Sequence, residues 1–399
     1  MAALTHLLLT LLGAVLVAVT LPLVLELTMV TLANWVPGGR SKPVTGVGRG
    51  LKLAIIVPAH NEELLVSKAV ASLRAAVAMS AGGGETRIMV IAHNCTDGTA
   101  ARAAEAGGEA IVYNDPAAKG KGFALRYGFE KALAEGADAV MVVDADSTVT
   151  PNTVAQVQAA FAGGARVVQC RYEMESTTER SSTRLAALAF RGFNVVRPRG
   201  RERLGLSAGI LGNGFAIYGP VLTAVPYDAF SVVEDLEYHL HLVMAGERVR
   251  YLNDAVISAD FPESKAGEAV QRSRWEGGRM GTARTLALPM LGKMLGGRFA
   301  IFEPLCDLTG LPLAYGVFAL LVAVCLPLVW LRWYAGIAIC VVLAHVLTAA
   351  WAGPDFLKTL QLLALSPLYI LRKLWMIPGV IRGASSKAEW VRTERDNTL

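Results

Sequence analysis

The sequence predicts an α/β fold in which a globular domain with a mixed sheet is flanked by transmembrane helices. Three observations predict it. From residue 51 to about residue 165, apolar strand-like runs alternate with helical patterns, which is typical of parallel strands joined by helices. After residue 165 the pattern becomes mixed. Long apolar runs lie near both ends of the chain.

The N-terminal apolar run covers residues 7–35 and contains a single charge, Glu26. About 20 apolar residues span a bilayer as a helix, so this run is long enough to cross. It has no basic segment before it and exceeds the length of a signal peptide, so we expect a retained helix. We therefore assign residues 1–36 to a transmembrane helix and residues 37–50, which are rich in Gly and Pro, to a linker.

The C-terminal apolar region covers about residues 301–378. Two stretches in it, Leu311–Trp330 and Trp333–Trp351, are long and nearly uncharged, with Arg332 in a predicted turn between them. The last stretch carries basic residues and is broken by Pro367, which favours an amphipathic segment that lies in the interface. The predicted order after the linker is a globular domain (51–278), an amphipathic interface segment (279–300), two transmembrane helices (301–352), an interface or re-entrant segment (353–381) and a tail (382–399).

Charge placement predicts the orientation of the chain. Lys and Arg cluster after the first helix and after the last apolar segment, which places both positions on the cytoplasmic side. We expect a multi-pass protein of the inner (cytoplasmic) cell membrane, with three crossings and with the globular domain and C-terminus in the cytoplasm. The net charge of +5 is modest, and no basic and aromatic residues interleave, so nucleic acid is not an expected partner. The five cysteines show no metal-ligand spacing.

Polar motifs follow three of the predicted strands: PAHNE, HNCTDGT and DADS. In parallel sheets, ligands bind beyond the carboxyl ends of the strands. In the last motif, Asp144 and Asp146 are separated by one residue. Because two like charges this close repel, a cation, hydrogen bonds or water must compensate them. An isolated pair of this kind is more often a strand-end turn. The clustering of three such motifs favours a ligand site.

A basic loop, KGKGFAL, precedes the Asp pair and suggests a divalent ion with a polyphosphate. A hard cation often takes only one or two protein carboxylates, and phosphate oxygens complete its shell. Lys119 and Lys121 could steer phosphates. Glu234 and Asp235 stand at a predicted helix start, where a carboxylate either caps the helix or serves as a general base. The segment QRSRW, residues 271–275, is either an amphipathic boundary segment or a phosphate contact.

Taken in order between membrane helices, IIVPAHNE, HNCTDGT, KGKGFAL, VVDADS, VED and QRSRW resemble the motifs of family 2 glycosyltransferases. The set is most similar to the membrane-bound enzymes that include cellulose, chitin, hyaluronan and poly-N-acetylglucosamine synthases. The resemblance covers roughly residues 50–300. It implies a GT-A (Rossmann-like) fold, a nucleotide-sugar donor that is usually a UDP-sugar, Mg²⁺ or Mn²⁺, and inversion at the anomeric carbon.

The resemblance also implies a role for each matching residue. Asp235 matches the general base, with Glu234 as the next candidate and Arg274 beside the diphosphate. The residues that would contact the nucleotide sugar are Pro58, His60, Glu62, Lys121, Asp144, Gln271, Arg274 and Trp275. The residues that would contact the acceptor are Gly212, Asn213, Gly214 and Trp275. The residues that would hold the metal are Asp146 and, beside it, Asp144.

The sequence departs from the family at two points. Ala92 and His93 stand where the second strand-end turn usually carries an acidic pair, and the membrane part is shorter than the channel of the long-chain synthases. The implied function is inverting transfer of sugar to a growing polysaccharide. Two alternatives are transfer of a single sugar to a lipid-linked acceptor and a non-catalytic membrane scaffold or transport component. The implied partners are the donor, a polysaccharide or lipid-linked acceptor and the bilayer, and further export or biosynthesis components remain open.

Overall fold

The computed structural model describes residues 1–36, 50–80, 84–118, 120–175, 181–261 and 265–374. Eight strands within these ranges form one sheet in the order β3-β2-β1-β4-β7-β6-β8-β5. The strands are β1 Leu53–Ala59, β2 Thr86–His93, β3 Glu109–Tyr113, β4 Ala139–Val142, β5 Thr148–Val149, β6 Val167–Glu175, β7 Phe215–Tyr218 and β8 Val249–Asp260. The predicted linker 37–50 lies outside the described residues except for Gly50, and the predicted tail 382–399 lies wholly outside them.

Helices flank the sheet and continue towards both ends of the chain. In the globular part they are α2 Val66–Met79, α3 Thr99–Glu105, α4 Lys121–Ala134, α5 Thr153–Ala162, α6 Ser181–Arg191, a π-helical turn Gly192–Val196, α7 Arg197–Arg203, α8 Gly219–Ala224 and α9 Glu234–Ala245. The remaining helices are α1 Ala2–Trp35, α10 Lys265–Leu295, a 3₁₀ turn Phe299–Ile301, α11 Phe302–Thr309, α12 Leu313–Cys325, α13 Val329–Trp351, α14 Phe356–Leu363 and α15 Ser366–Leu374.

The sheet is mixed, as predicted. Strands β3, β2, β1 and β4 are parallel neighbours, whereas β7 runs antiparallel to both β4 and β6. Strand β8 pairs parallel with β6, and the short β5 pairs antiparallel with β8. The carboxyl ends of β1, β2 and β4 therefore lie at one edge of the sheet, which brings their polar motifs together.

Both faces of the sheet are buried, which explains why β1 is apolar throughout rather than alternating. On one face, Leu53, Ile55 and Val57 pack with residues of α2 and α5. On the other face, Ala54 and Ile56 pack with residues of α4 and α9. Burying one such aliphatic side chain stabilises the fold by roughly 1.5–3 kcal/mol.

Two helices of the described chain, α1 and α13, are long and apolar enough to cross a membrane. The segment from Phe299 to Cys325 is bent by 80° and would count as a third span only if it crosses as one unit. The predicted helix over Leu311–Trp330 is shorter than expected, because α12 covers 13 residues. That length corresponds to about 20 Å, less than the ~30 Å of a bilayer core.

Prolines explain this difference. Pro312 precedes α12 and Pro327 follows its end at Cys325, and proline disfavours helix in the residue before it. Arg332 does not lie in the turn between the helices, as the sequence predicted, but in the first part of α13, where its Nε donates to Leu326 O at 2.9 Å.

The segments predicted to lie along the interface are mostly helical where the structure describes them. Helix α10 runs from Lys265 to Leu295, so the expected domain boundary after residue 278 falls inside one continuous helix. Leu288, Leu295 and Phe299 are exposed near its C-terminal end. Helix α14 buries none of its residues, and residues 375–381 of the predicted segment lie outside the described ranges.

A buried ionic cluster joins helices α1, α10 and α11 to α7 of the globular domain. Glu26 of α1 lies 3.1 Å from Arg197 and 3.0 Å from Arg201 of α7. Asp307 of α11 contacts both arginines at 3.2 and 3.1 Å and also contacts Arg279 of α10 at 2.8 Å. Glu303 lies 2.5 Å from Arg201 Nε. Both Glu303 and Asp307 are buried inside the protein. The single charge of the first apolar run is thus compensated by buried arginines of the protein.

Candidate active site

Asp144 and Asp146 follow the end of β4, and neighbouring polar groups compensate their charges. Asp144 Oδ1 lies 2.5 Å from Lys121 Nζ, and the backbone N–H of Asp144 donates to Asn213 Oδ1 at 3.1 Å. Asp146 Oδ1 accepts a hydrogen bond from Ser147 Oγ at 3.0 Å. A cation and polar groups therefore surround the pair, and it is more than a solvent-exposed turn.

Lys121 connects three of the predicted motifs. It begins α4, and its Nζ donates to the carbonyl of Gly212 at 2.6 Å in addition to its ion pair with Asp144. Burial alone would lower the pKa of Lys121, but the carboxylates of Asp144, Glu234 and Asp235 together raise it above its ordinary value. The ammonium group is therefore charged at neutral pH and holds the carboxylates around it. Lys119 lies outside the described residues.

The loop Gly212–Asn213–Gly214 forms the wall beside this lysine. Gly212 and Gly214 have φ angles of 76° and 73°, and a Cβ on Gly214 would lie only 2.5 Å from Ile257 Cγ1. Asn213 is 1% exposed, and its Nδ2 donates to Ser147 Oγ at 2.8 Å. The amide of one side chain thus fixes both the loop Gly212–Gly214 and the end of β4.

Two residues that support this loop, Gln169 and Ser147, were not predicted from the sequence. Gln169 of β6 is fully buried; its Nε2 donates to Asn213 O at 2.7 Å, and its Oε1 accepts from Leu211 N at 3.0 Å. Ser147 links Asn213 to Asp146. A buried polar side chain must be hydrogen-bonded, so the lone glutamine in the apolar run RVVQC was the signal available in the sequence.

Glu234 and Asp235 open α9 at the same site. A Cβ on Gly212 would lie 3.0 Å from Asp235 Oδ2, so this carboxylate stands against the Gly212 backbone. The N-cap position is Val233, which makes no side-chain capping bond, and Asp235 Oδ1 accepts from the N–H of the next residue, Leu236, at 2.8 Å. Asp235 is therefore in the first turn of α9 and is not its N-cap residue.

The environment makes both carboxylates better bases. Burial raises the pKa of Asp235 above its ordinary value, although the Leu236 N–H and Lys121 act in the opposite direction. Burial and the neighbouring charge of Asp235 raise the pKa of Glu234 to about 7. A carboxylate with a raised pKa accepts a proton more readily near neutral pH.

The end of β1 carries the predicted nucleotide contacts. Pro58 lies within β1, His60 Nδ1 lies 2.8 Å from the carbonyl of His93, and the Glu62 N–H donates to Thr99 Oγ1 at 2.8 Å. The first and second strand-end loops are thereby joined.

The second strand-end turn is structural in its described contacts. Asp97 Oδ1 accepts from the Thr99 N–H at 3.0 Å at the start of α3. His93 is buried and stacks on Tyr113 with ring centroids 4.9 Å apart.

Trp275 lies on α10 with 43% of its surface exposed. The same helix packs against the start of α9, because a Cβ on Gly278 would lie 2.8 Å from Val233 Cγ1. Gln271 and Arg274 belong to α10, but their side chains lie outside what the structure describes.

The donor set fits a hard divalent cation that shares its shell with a phosphate. No group of three or more His, Cys, Asp and Glu side chains that could hold a metal occurs among the residues described. The pair Asp144 and Asp146 supplies carboxylate oxygens only, which suits Mg²⁺ or Mn²⁺ with the remaining ligands from diphosphate and water.

The fold and this constellation define a sugar-transfer domain, and comparison with known proteins agrees. Residues 50–278, more than half of the chain, match the family described as "Glycosyltransferase like family 2". The chain belongs to this family and is a glycosyltransferase with a GT-A fold. Comparison with curated protein sequences gave no match.

One solved structure shows a similar fold over nearly the whole chain, and two others match a shorter part. The mannosyltransferase PcManGT from Pyrobaculum calidifontis, solved in complex with GDP-Man and Mn²⁺, is 17% identical, with 96% of this chain and 99% of that chain covered and a TM-score of 0.54. Mannosyl-3-phosphoglycerate synthase from Rubrobacter xylanophilus is 19% identical over 59% of this chain and 74% of its own, with a TM-score of 0.42. Glucosyl-3-phosphoglycerate synthase from Mycobacterium tuberculosis, in complex with Mn²⁺, UDP and phosphoglyceric acid, is 21% identical over 59% and 80%, with a TM-score of 0.40.

Proposed function

We propose that the protein transfers a sugar, with inversion at the anomeric carbon, from a UDP-sugar to a growing polysaccharide at the cytoplasmic face of a membrane. The observation that carries the proposal is the convergence on Lys121 of the Asp144 carboxylate, the Gly212 carbonyl and the charges of Glu234 and Asp235. This arrangement supports a diphosphate side at the end of β4 and a base side at the start of α9, with the Gly212 loop between them.

Asp146, with Asp144, would hold Mg²⁺ or Mn²⁺ at the diphosphate. The ion would neutralise the charge that develops on the leaving nucleoside diphosphate. PcManGT, which shares the fold, was solved with Mn²⁺ and a nucleotide sugar, and this supports the assignment. Arg274 would add a guanidinium contact to the same phosphates.

Asp235 would act as the general base. The acceptor hydroxyl oxygen forms a bond to the anomeric carbon as the bond from that carbon to the diphosphate oxygen breaks, and the hydroxyl proton moves to the Asp235 carboxylate. The diphosphate leaves with the electron pair of the broken bond. A single displacement of this kind inverts the anomeric configuration and requires no covalent intermediate on the enzyme.

The membrane assignment rests on composition and charge. Helices α1 and α13 are apolar enough to cross, and the positive-inside rule supports a multi-pass chain with a cytoplasmic catalytic domain and C-terminus. The small membrane part favours a second candidate, transfer of one sugar to a lipid-linked acceptor. Product length separates the two, because only chain extension gives products longer by more than one sugar.

Asp235→Asn tests the transferase mechanism. The substitution keeps the size of the side chain but removes its ability to take a proton, so we expect a rate loss of about 10²–10⁴-fold with donor binding unchanged. Asp254→Asn, at an exposed position of β8, is the matched control and should keep parental activity. Turnover and donor binding are measured on the same purified preparations. Turnover of Asp235→Asn within a few-fold of the parent would remove Asp235 from the mechanism and leave Glu234 as the next candidate.

A further inference from the structure

Arg191, at the end of α6, has a guanidinium group that the described contacts do not use. It makes no hydrogen bond or ion pair with any residue in the described ranges. The group is partly buried against the turn after α13, where a Cβ on Gly353 would lie 2.1 Å from Arg191 Nη1. Because residue 353 is a glycine, the guanidinium group has room beside the turn.

Two further arginines lie near this group. Arg199 Nε donates to Asn34 Oδ1 at 2.5 Å, and Arg171 Nε donates to Glu173 Oε1 at 2.7 Å. Burial lowers the pKa of Arg191 and of Arg199, and the charge of Arg171 lowers both further, although Glu173 acts in the opposite direction on Arg191. Three guanidinium groups thus share a partly desolvated region in which only Arg171 has a carboxylate partner among the described contacts.

The cluster lies at the ends of two candidate membrane helices. Arg199 contacts Asn34 beside Trp35, and Arg191 contacts Gly353 shortly after Trp351. These two tryptophans are 57% and 75% exposed. Exposed tryptophans at the ends of apolar helices mark the level of the lipid headgroups.

The arginine cluster also lies close to the loop Gly212–Gly214. The N–H of Cys170, the residue before Arg171 on β6, donates to the carbonyl of Gly214 at 2.7 Å. One side of the basic cluster is thus tied by β6 to the Gly212–Gly214 loop.

We infer that Arg191, Arg199 and Arg171 bind a phosphate group carried on a lipid at the membrane face of the catalytic domain. A phosphate matches the planar forks of arginine with two parallel hydrogen bonds, and it would supply the negative charge that the cluster lacks. Basic pockets between membrane helices are suited to phosphate headgroups. That the lipid is also the acceptor, held with its phosphate beside the loop Gly212–Gly214, rests on the second candidate of the proposed function, transfer of one sugar to a lipid-linked acceptor.

The test measures lipid binding without donor or sugar transfer. The full-length protein is held in phosphatidylcholine nanodiscs and titrated with dihexanoyl phosphatidic acid, and the rise in melting temperature gives an apparent affinity. We expect Arg191→Met to weaken that affinity at least tenfold. Arg191→Lys should recover part of it, because lysine keeps the charge but lacks the planar fork. Arg199→Met should show the same loss as Arg191→Met, so the proposal stays testable if one variant does not fold.

Controls separate the site from general charge effects. Arg126→Met removes an exposed arginine of α4 and should bind the lipid like the parent. Inorganic phosphate as a competitor distinguishes the sources: competition only at a concentration much higher than that of the lipid supports a lipid-borne group, whereas competition at the concentration of the lipid would overturn it in favour of free phosphate. Parental binding by Arg191→Met, or an equal loss in Arg126→Met, would overturn the inference. Asp235→Asn should keep lipid binding, so failure of the transfer mechanism and failure of this site give different results.

Discussion

Substitution of Glu26 tests how helix α1 is held to the catalytic domain. Its carboxylate contacts Arg197 and Arg201 at 3.1 and 3.0 Å, and all three side chains are at most 8% exposed. Glu26→Gln keeps the shape of the side chain and removes its charge. The cluster of three arginines and three carboxylates would then carry one uncompensated positive charge inside the protein.

The expected cost follows from the contacts that remain. Breaking a buried ion pair by removing one partner typically costs about 3–5 kcal/mol. Arg197 and Arg201 keep Asp307 at 3.2 and 3.1 Å, and Arg201 keeps Glu303, so we expect a value near the lower figure. Since 1 kcal/mol corresponds to ~2–4 °C for domains of ~150–250 residues, the melting temperature should fall by at least about 6 °C.

Thermal unfolding of the detergent-solubilised protein measures this effect. Combining Glu26→Gln with Arg197→Met removes one charge of each sign, so the double variant should be more stable than Glu26→Gln alone. Glu105→Gln, which removes a carboxylate from an exposed pair with Arg102, is the control and should change the melting temperature little. A fall for Glu26→Gln no larger than that of the control, or a double variant that melts below the single one, would refute the reasoning.

Three further predictions concern the metal, the pH dependence and the orientation. Asp146→Asn should abolish sugar transfer, and excess EDTA should do the same to the parent; full activity in EDTA would contradict a metal at this site. The pKa of Glu234 is raised from 4.5 to about 7, so the folded protein binds this proton more tightly than the unfolded chain and loses stability as pH rises from about 4.5 through 7. Glu234→Gln should therefore show a smaller fall in melting temperature between pH 5.5 and 8 than the parent, and an equal fall would show that another group titrates. Single cysteines introduced at Ser41 and Thr398, in a chain without its native cysteines, should be labelled from the same side of the membrane, whereas labelling from opposite sides would mean that the segment 353–381 crosses.

The alternation of strands and helices, together with the polar residues at three strand ends, was sufficient to predict the α/β fold and to place Asp144 near Lys121. Such patterns are local, because buried side chains recur at a fixed spacing along each strand or helix. The connections between parallel strands are also right-handed by default. The helix over Leu311–Trp330 was wrong in length for a local reason as well. The prediction followed the high mean hydropathy of the stretch, whereas Pro312 and Pro327 limit the helix to a shorter length.

The chain by itself therefore determined its sheet, its apolar helices and the residue types of its site, because each depends on neighbours in sequence. Only the tertiary structure decided which of these groups meet. Lys121 reaches the carbonyl of Gly212, 91 positions away, and Glu26 meets Arg197 across 171 positions. Gln169 carries no motif, and although a lone glutamine in an apolar run signals a buried polar contact, only the tertiary structure shows that it supports the loop Gly212–Gly214. Pairings of this kind depend on how whole elements pack, and a buried charge or amide finds its partner only when that packing is complete.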